Sequence, residues 1–420
     1  MKSDIPFTFG TGTSIIVKRC QICDSPDLES ILFLGYLPPV NRMHFIGERP
    51  QEETTYPAEL LYCHHCRLVQ LGLIVDAKVL FPFSYPYTSS TTKILRENFA
   101  ELYEEAKSLI PLGPNDLIVD IGSNDGNLLS NFRDRHRVLG VTPEEIGKIA
   151  IERGIPTLLD YLSDRVVDQI LREDGQAKLV TATNVFAHIE NINDATELIL
   201  RLLSPEGVFI SESHYLKALI ETLQYDAIYH EHLRYYSLHS LVYLFEQRGL
   251  EVFHAKPIPT HGGSIRVYAS RKGVYPVQDT VAKLLNDEEN FFMNQNGFHK
   301  FRKRVIESKF KLLTILQAIK SKGQSIYGIS APSRASTLIH YVGIDDGILD
   351  GVCEIKGSHK IGKYVPGTLI PIFDEERLFT ESPDFALLLS WHIADELIPK
   401  LTGKGFKGRF IVPLPEPRVV

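Results

Sequence analysis

Cysteine is scarce, at five in 420 residues, so the chain is not held together by the disulfide framework that small secreted domains use. No stretch approaches the roughly 18 consecutive apolar residues that a membrane-spanning helix needs. The opening residues, Met1-Lys2-Ser3-Asp4, are not followed by the apolar run of a secretory signal. The cytoplasm is therefore the expected compartment. An excess of positive charge is also missing: 45 Lys and Arg stand against 52 Asp and Glu, a formal net charge of −7. A phosphate backbone suits such a chain poorly, and neither a nucleic-acid nor a membrane partner is expected.

What is present suffices for several cores. Hydrophobic residues make up 44% and charged residues 23% of the chain, and at roughly 100–200 residues per domain the length admits two to four domains. Short β-like runs such as Leu68–Leu73 lie near two close pairs of cysteines. An aromatic, breaker-rich linker, Phe81–Ser90, and a helical pattern over about 91–109 follow. Apolar runs then alternate with helical stretches: Leu117–Ile121, Val138–Val141, Leu179–Ala182 and Val208–Ser211. That alternation implies an α/β domain with a parallel sheet. Residues 277–321 read as long helices. A second α/β unit starts at Ser325–Ile329, continues through Ile348–Val352 and Phe385–Leu389, and ends near Phe410–Val412. The expected division is 16–75 for the cysteine module, 76–270 for the first α/β domain with its linker and helix, and 271–420 for the helical linker and second α/β domain.

Cys20-x-x-Cys23 and Cys63-x-x-Cys66 carry the first chemistry. Two such pairs close a tetrahedral four-thiolate zinc site, which has no open position and so is structural. Four ordinary buried cysteines are the plain alternative. Next comes Asp120-Ile121-Gly122-Ser123-Asn124-Asp125-Gly126-Asn127, after a strand and before a helix. A nucleotide-type cofactor sits at that place in a doubly wound sheet, and glycine lets the backbone turn tightly beside it. A dinucleotide loop would carry glycine where Asn124 and Asn127 stand, so S-adenosylmethionine fits better. A tight turn without a ligand is the other reading.

Ile228–Ser237 crowds Tyr229, His230, Glu231, His232 and Arg234 into one segment. A general-base cluster, a His–Glu–His metal site and a solvated polar loop all remain open for it. His188 follows the third strand at the ligand-facing edge, unless it simply starts a helix. Thr260–Arg266 places His261, Gly262 and Arg266 in either a hairpin turn or a substrate-facing loop. Tyr327–Arg334 is a strand-to-helix turn whose amides around Ser330, with the Arg334 side chain, can cradle a phosphate, or which is purely structural.

Together these residues resemble the sugar C-methyltransferases that methylate nucleotide-linked 4-keto-deoxysugars, over about Val17 to Val412. The resemblance rests on Cys63-His64-His65-Cys66 with its following strand, the loop from Asp120 to Gly126, Asn184-Val185-Phe186-Ala187-His188, Tyr229-His230-Glu231-His232 and His261-Gly262-Gly263-Ser264. It implies a class I S-adenosylmethionine methyltransferase (Rossmann-like) domain between an N-terminal zinc module and a C-terminal Rossmann-like α/β domain. It puts His232 in the role of base, with Tyr229, Glu231 and His188 beside it. It also implies that a linker tyrosine, Tyr85 or Tyr87, enters the site. Asn184 would join the cofactor residues. One position departs: where family members carry an acid for the cofactor ribose, this chain has Thr142, with Glu144 and Glu145 as candidate substitutes. The expected reaction is removal of a proton beside the ketone and methylation of the resulting enolate. The rival is a non-catalytic nucleotide-sugar-binding protein that keeps the fold.

Overall fold

The computed structural model describes residues 14–80, 93–143, 145–294 and 296–420. Tyr85, Tyr87 and Glu144 lie outside the described residues. Around the cysteines run strands β1 (Ile15–Ile16), β2 (Leu28–Leu37), β3 (Tyr56–Cys63), β4 (Val69–Leu71) and β5 (Leu73–Ile74). β2, β3 and β4 form an antiparallel meander, in which β3 alternates buried and half-buried residues as a one-sided strand should.

The middle of the chain forms β6 (Leu117–Ile121), β7 (Arg137–Val141), β8 (Thr157–Leu158), β9 (Ala177–Thr183), β10 (Leu203–His214), β11 (Arg234–Tyr235), β12 (Leu250–Ile258) and β13 (Ser264–Arg271). All five residues of β6 are buried, the mark of a strand covered by helices on both faces. The sheet runs β12-β13-β10-β9-β6-β7-β8. β10, β9, β6, β7 and β8 are parallel, whereas β13 runs antiparallel to both of its neighbours. A dinucleotide fold is parallel throughout in its binding half. An antiparallel strand lodged between β10 and β12 therefore separates this sheet from that class.

Short β11 leaves this sheet and pairs with β4, so the zinc module's sheet reads β11-β4-β3-β2. The amide of Leu71 extends the pairing by donating to the carbonyl of Leu233, at 2.9 Å. Buried Arg234 anchors the same stretch from its other side by donating to the carbonyls of Ile189 and Glu190.

The last sheet consists of β14 (Ile326–Ile329), β15 (Gly351–Glu354), β16 (Ile372–Asp374), β17 (Phe385–Leu388), β18 (Arg409–Val412) and β19 (Arg418–Val419), ordered β16-β15-β14-β17-β18-β19. It is parallel except for β19. β15 begins at Gly351 rather than at Ile348. The amides of Ile348 and Leu349 turn back onto Asp345, and the Asp350 carboxylate accepts from the Ile326 amide at 2.7 Å. Residues 277–321 hold the expected helices, Asp279–Glu289 and Gly297–Lys320, joined by a π turn at Asn290–Asn294. One apolar core runs from Leu60 and Leu71 of the zinc module through Leu219 and Tyr225 to Ile329 and Leu388. No helix among the described residues is long and apolar enough to cross a membrane.

Candidate active site

The C-terminal ends of β6, β9 and β10 open on one edge of the seven-stranded sheet. After β6 the chain turns through Gly122, at φ +72°, where an added Cβ would stand 2.3 Å from Val185 Cγ2. Gly126, at φ +76°, is closed in the same way by Ile155 and Ala150. Asn124 and Asn184 also take left-handed backbone, which asparagine tolerates better than most side chains. Asp120 is buried and accepts a hydrogen bond from Thr181 Oγ1 at 2.7 Å. Burial pushes its carboxyl up to about 7, with the charge of Glu212 acting in the same direction. Asp125 is buried and pairs with Arg153 at 3.2 Å. Thr142 is fully buried after β7, and Glu145 pairs with Lys148.

Among the described residues, Ser123 Oγ, Asn127 Nδ2 and Asn184 Oδ1 are buried without a hydrogen-bond partner. Buried polar atoms are seldom left so. Three of them around a glycine loop that no side chain can fill suit a polar cofactor, and S-adenosylmethionine fits that cradle.

Beyond it lies a cluster of imidazoles. The His232 ring is 4.9 Å from His188, 5.1 Å from His214 and 4.2 Å from Tyr229, centroid to centroid. His214 in turn stacks on His261 at 5.6 Å. His232 Nδ1 is 2.9 Å from the carbonyl oxygen of Ala227. Burial holds His232 and His214 well below the usual histidine range, and the neighbouring rings add to the effect. Burial likewise brings His188 and His261 down to about 4. The rings are thus neutral near pH 7. The Glu231 carboxylate accepts from Asn41 Nδ2 of the zinc module, at 2.5 Å. His230 reaches the carbonyl of Pro57 at 3.1 Å instead of the cluster. Among the described residues no His–Glu–His metal site forms; the four cysteines are the one group whose ligand atoms converge.

On the far side, Gly262 fits under Gln224, whose Nε2 donates to its carbonyl at 2.6 Å. Arg334 is buried and committed within the protein. Its Nε and Nη2 donate to both oxygens of Asp226 at 2.8 and 2.7 Å, and Nη2 also donates to Gln224 Oε1 at 3.1 Å. Nη1 faces His392 Nδ1 at 3.3 Å. The Ala331 amide beside Ser330 donates to Glu354 at 2.7 Å, so that amide of the expected phosphate cradle already has an acidic partner. Arg266, expected to face the substrate loop, is instead buried against Glu212, Glu105 and Asn98.

His214, Asp226 and His392 did not stand out in the sequence. His214 closes β10 on the ligand-facing edge, the position that drew attention to His188, and the same rule would have found it. Asp226 and His392 had no local signal, since their partners come from distant segments.

The Sγ atoms of Cys20, Cys23, Cys63 and Cys66 all lie within 4.8 Å of one another. Cys20 and Cys66 are 3.4 Å apart, and Cys23 and Cys63 3.5 Å. Four sulfurs so placed fit one zinc ion. His64 pairs with Glu29 and His65 with Tyr243, outside this set.

Sheet order, glycine loop and the ligand-edge cluster define a class I S-adenosylmethionine-dependent methyltransferase that also carries a structural zinc module. Family models agree in three adjoining segments: a zinc binding domain over residues 20–81, a methyltransferase domain over 93–255 and a C-methyltransferase C-terminal domain over 259–415. The chain is 32% identical over 411 residues to the C-methyltransferase NovU of Streptomyces niveus, covering 96% of this chain and 97% of that one. The protein belongs to this family of three-part C-methyltransferases. Similar solved structures include an S-adenosylmethionine-dependent methyltransferase from Anabaena variabilis, at 16% identity, with 43% of this chain and 86% of that chain covered and a TM-score of 0.35. Another is the magnesium protoporphyrin IX methyltransferase of Synechocystis, at 14% identity, with 42% and 78% covered and a TM-score of 0.31.

Proposed function

We propose that the protein methylates the carbon beside the ketone of a nucleotide-linked keto-deoxysugar, in the cytoplasm, with His232 as the base. The contact of His232 Nδ1 with the Ala227 carbonyl, at 2.9 Å, is the observation that carries this reading. A carbonyl oxygen can only accept, so the contact with Ala227 puts the proton on Nδ1 and leaves the Nε2 lone pair as the basic atom. Nε2 takes the proton from the carbon beside the ketone, and the electrons of that C–H bond pass into an enolate. His188, Tyr229 and His261 surround the place where the enolate oxygen develops and hold it by hydrogen bonds. When bound, S-adenosylmethionine would supply an electrophilic sulfonium methyl group to the enolate carbon, its S–CH3 bond breaking with the electron pair staying on sulfur to leave neutral S-adenosylhomocysteine. Asp120, Gly122, Ser123, Asn124, Asp125, Gly126, Asn127 and Asn184 shape its cradle. His232 then gives up its proton to solvent.

Tyr85 or Tyr87 of the linker completes the site. The C-terminal domain, from about residue 271, holds part of the nucleotide-sugar, with His261, Gly262 and Ser330 on its approach. A screen of nucleotide keto-sugars with methyl-labelled S-adenosylmethionine, read by mass spectrometry, tests the assignment. Label should enter the sugar carbon skeleton, and the absence of transfer to every keto-sugar would overturn it. One observation favours a binding protein instead: buried, neutral Thr142 stands where an acid would hold the cofactor ribose. Under that reading the sugar nucleotide binds tightly and no methyl moves.

A further inference from the structure

Between Leu223 and His232 the chain has little regular structure of its own: one 3-10 turn, Tyr225–Ala227, followed by irregular backbone. Yet this is the stretch that carries His232 and, at Ala227, the carbonyl that fixes its Nδ1 proton. The zinc module holds its last residues, through Asn41 on Glu231 and Pro57 on His230; what holds Gln224 to Ile228 comes largely from the other α/β domain. Helix Ser333–Val342 presents Arg334 to Asp226 through the two-pronged contact already described, and one turn later Thr337 Oγ1 donates to the carbonyl of Ile228 at 2.9 Å. Trp391, after β17, donates through Nε1 to Asp226 Oδ2 at 2.7 Å. Its ring also lies 5.1 Å from the Arg334 guanidinium. Gln224, which is bonded to Arg334, donates to Gly262 and so ties the turn to the loop that carries His261.

Asp226 has no exposed surface and Arg334 very little. An ion pair so buried gains little net stability over an apolar pair of the same size. A two-pronged arginine–carboxylate contact, however, fixes geometry closely. Ala227 lies between the two anchored residues, Asp226 and Ile228. Its carbonyl therefore points where the C-terminal domain sets it.

We propose that Arg334 and Thr337 are positioning residues for the proton-abstracting histidine: the C-terminal domain clasps the Asp226–Ile228 turn and thereby holds His232 in the Nδ1–H tautomer with Nε2 facing the site. This inference rests on the assignment of His232 as base. It gives the C-terminal domain a part in catalysis that does not depend on its touching the nucleotide. It also gives Arg334 a task other than holding a phosphate.

The tautomer itself is the readout, since a purely structural contact would not move it. In full-length, zinc-loaded protein with 15N-labelled histidine, saturated with S-adenosylhomocysteine, His232 should give one protonated Nδ1 and one unprotonated Nε2 resonance. The His232→Gln variant assigns the pair. In Arg334→Gln and in the milder Thr337→Val, those resonances should shift towards the average of two tautomers, while zinc content and S-adenosylhomocysteine affinity hold. Methyl transfer should fall by about 10²-fold in kcat, the scale of a misplaced catalytic group, and Thr337→Ser should restore it. An unchanged His232 tautomer in folded Thr337→Val would overturn the clasp. Wild-type exchange of the substrate C–H with deuterated water in His232→Gln would instead overturn the base assignment.

Discussion

At the scale of single residues, burial keeps the imidazoles in and around the candidate site neutral near pH 7. His188, His230 and His261 titrate at about 4 and His392 at about 3 in the folded protein, and burial is the leading cause in each. His214 and His232 lie well below 6.5 for the same reason. An unfolded histidine titrates near 6.5, so below that pH the unfolded chain binds protons that the folded chain refuses. Stability therefore falls as pH drops from about 6.5 towards 4, by about 1.4 kcal/mol per pH unit for each such group. Asp120 and Glu212 have raised folded values and work the other way over part of this range, losing their contribution as pH rises. The histidines outnumber them, so the urea midpoint should be lower at pH 5 than at pH 7. An equal or higher midpoint at pH 5 would show that the cluster is hydrated and not buried. A second expectation concerns the cofactor loop. Gly122→Val puts a Cβ into Val185 on left-handed backbone, and should abolish S-adenosylmethionine binding by calorimetry while the far-ultraviolet circular dichroism stays that of the wild type. Binding at wild-type strength would remove the loop from the cofactor site. Finally, His232→Gln should lose about two to four orders of magnitude of methyl transfer, the usual worth of a general base; transfer at the wild-type rate would make His188 the next candidate.

At the scale of elements, helix Lys93–Leu109 is fastened to the seven-stranded sheet by a buried polar knot. Arg266 of β13 has no exposed side-chain surface and pairs with equally buried Glu212 of β10, and with Asn98 and Glu105 of the helix. Glu212 also accepts from Asn98 at 2.9 Å. Arg266→Met would strand the Glu212 carboxylate, a loss of about 3–5 kcal/mol, readable in chemical denaturation. Replacing both, as Arg266→Met with Glu212→Gln, should recover part of it; a single variant as stable as wild type would mean that water reaches the knot. The elements themselves were partly legible in the sequence. Continuous apolar runs found β6 residue for residue and β7, β9, β14, β17 and β18 to within a residue or two, because strands buried on both faces carry an unbroken signal. β11 was not legible: two residues, Arg234 and Tyr235, make no pattern, and their partner strand lies far back in the chain. The site divides the same way. The glycine loop, the cysteine pairs and the dense polar segment around His232 are local in sequence and could be read. Asp226 as partner of Arg334 depends on a tertiary contact, which no window of sequence contains; the Ala227 carbonyl lies only five residues before His232, but the irregular backbone that aims it follows no sequence pattern.

At the scale of the whole molecule, the zinc module is built into the site and is not an appendage. Asn193 of the methyltransferase domain donates to the carbonyl of Ile22, within the first cysteine pair, at 3.1 Å. Asn41 holds Glu231, and β4 holds β11. Elemental analysis of the purified protein should find one zinc per chain. Chelation should cost methyl transfer as well as stability, since ordering of the His232 segment goes with the metal. Full activity in demonstrably zinc-free protein would refute this link. The pairing of β4 with β11 bears also on how such a chain is made and how it can change. On the ribosome the cysteine module emerges early with an unsatisfied strand edge, and it must wait for much of the next domain before its sheet is complete. Exposed edges invite pairing with other chains, so until β11 is made the free edge of β4 is open to mispairing. By the same token a graft of the module carries its own β4, and unless the segment around His232 and β11 travels with it, the new sheet closes on a foreign last strand.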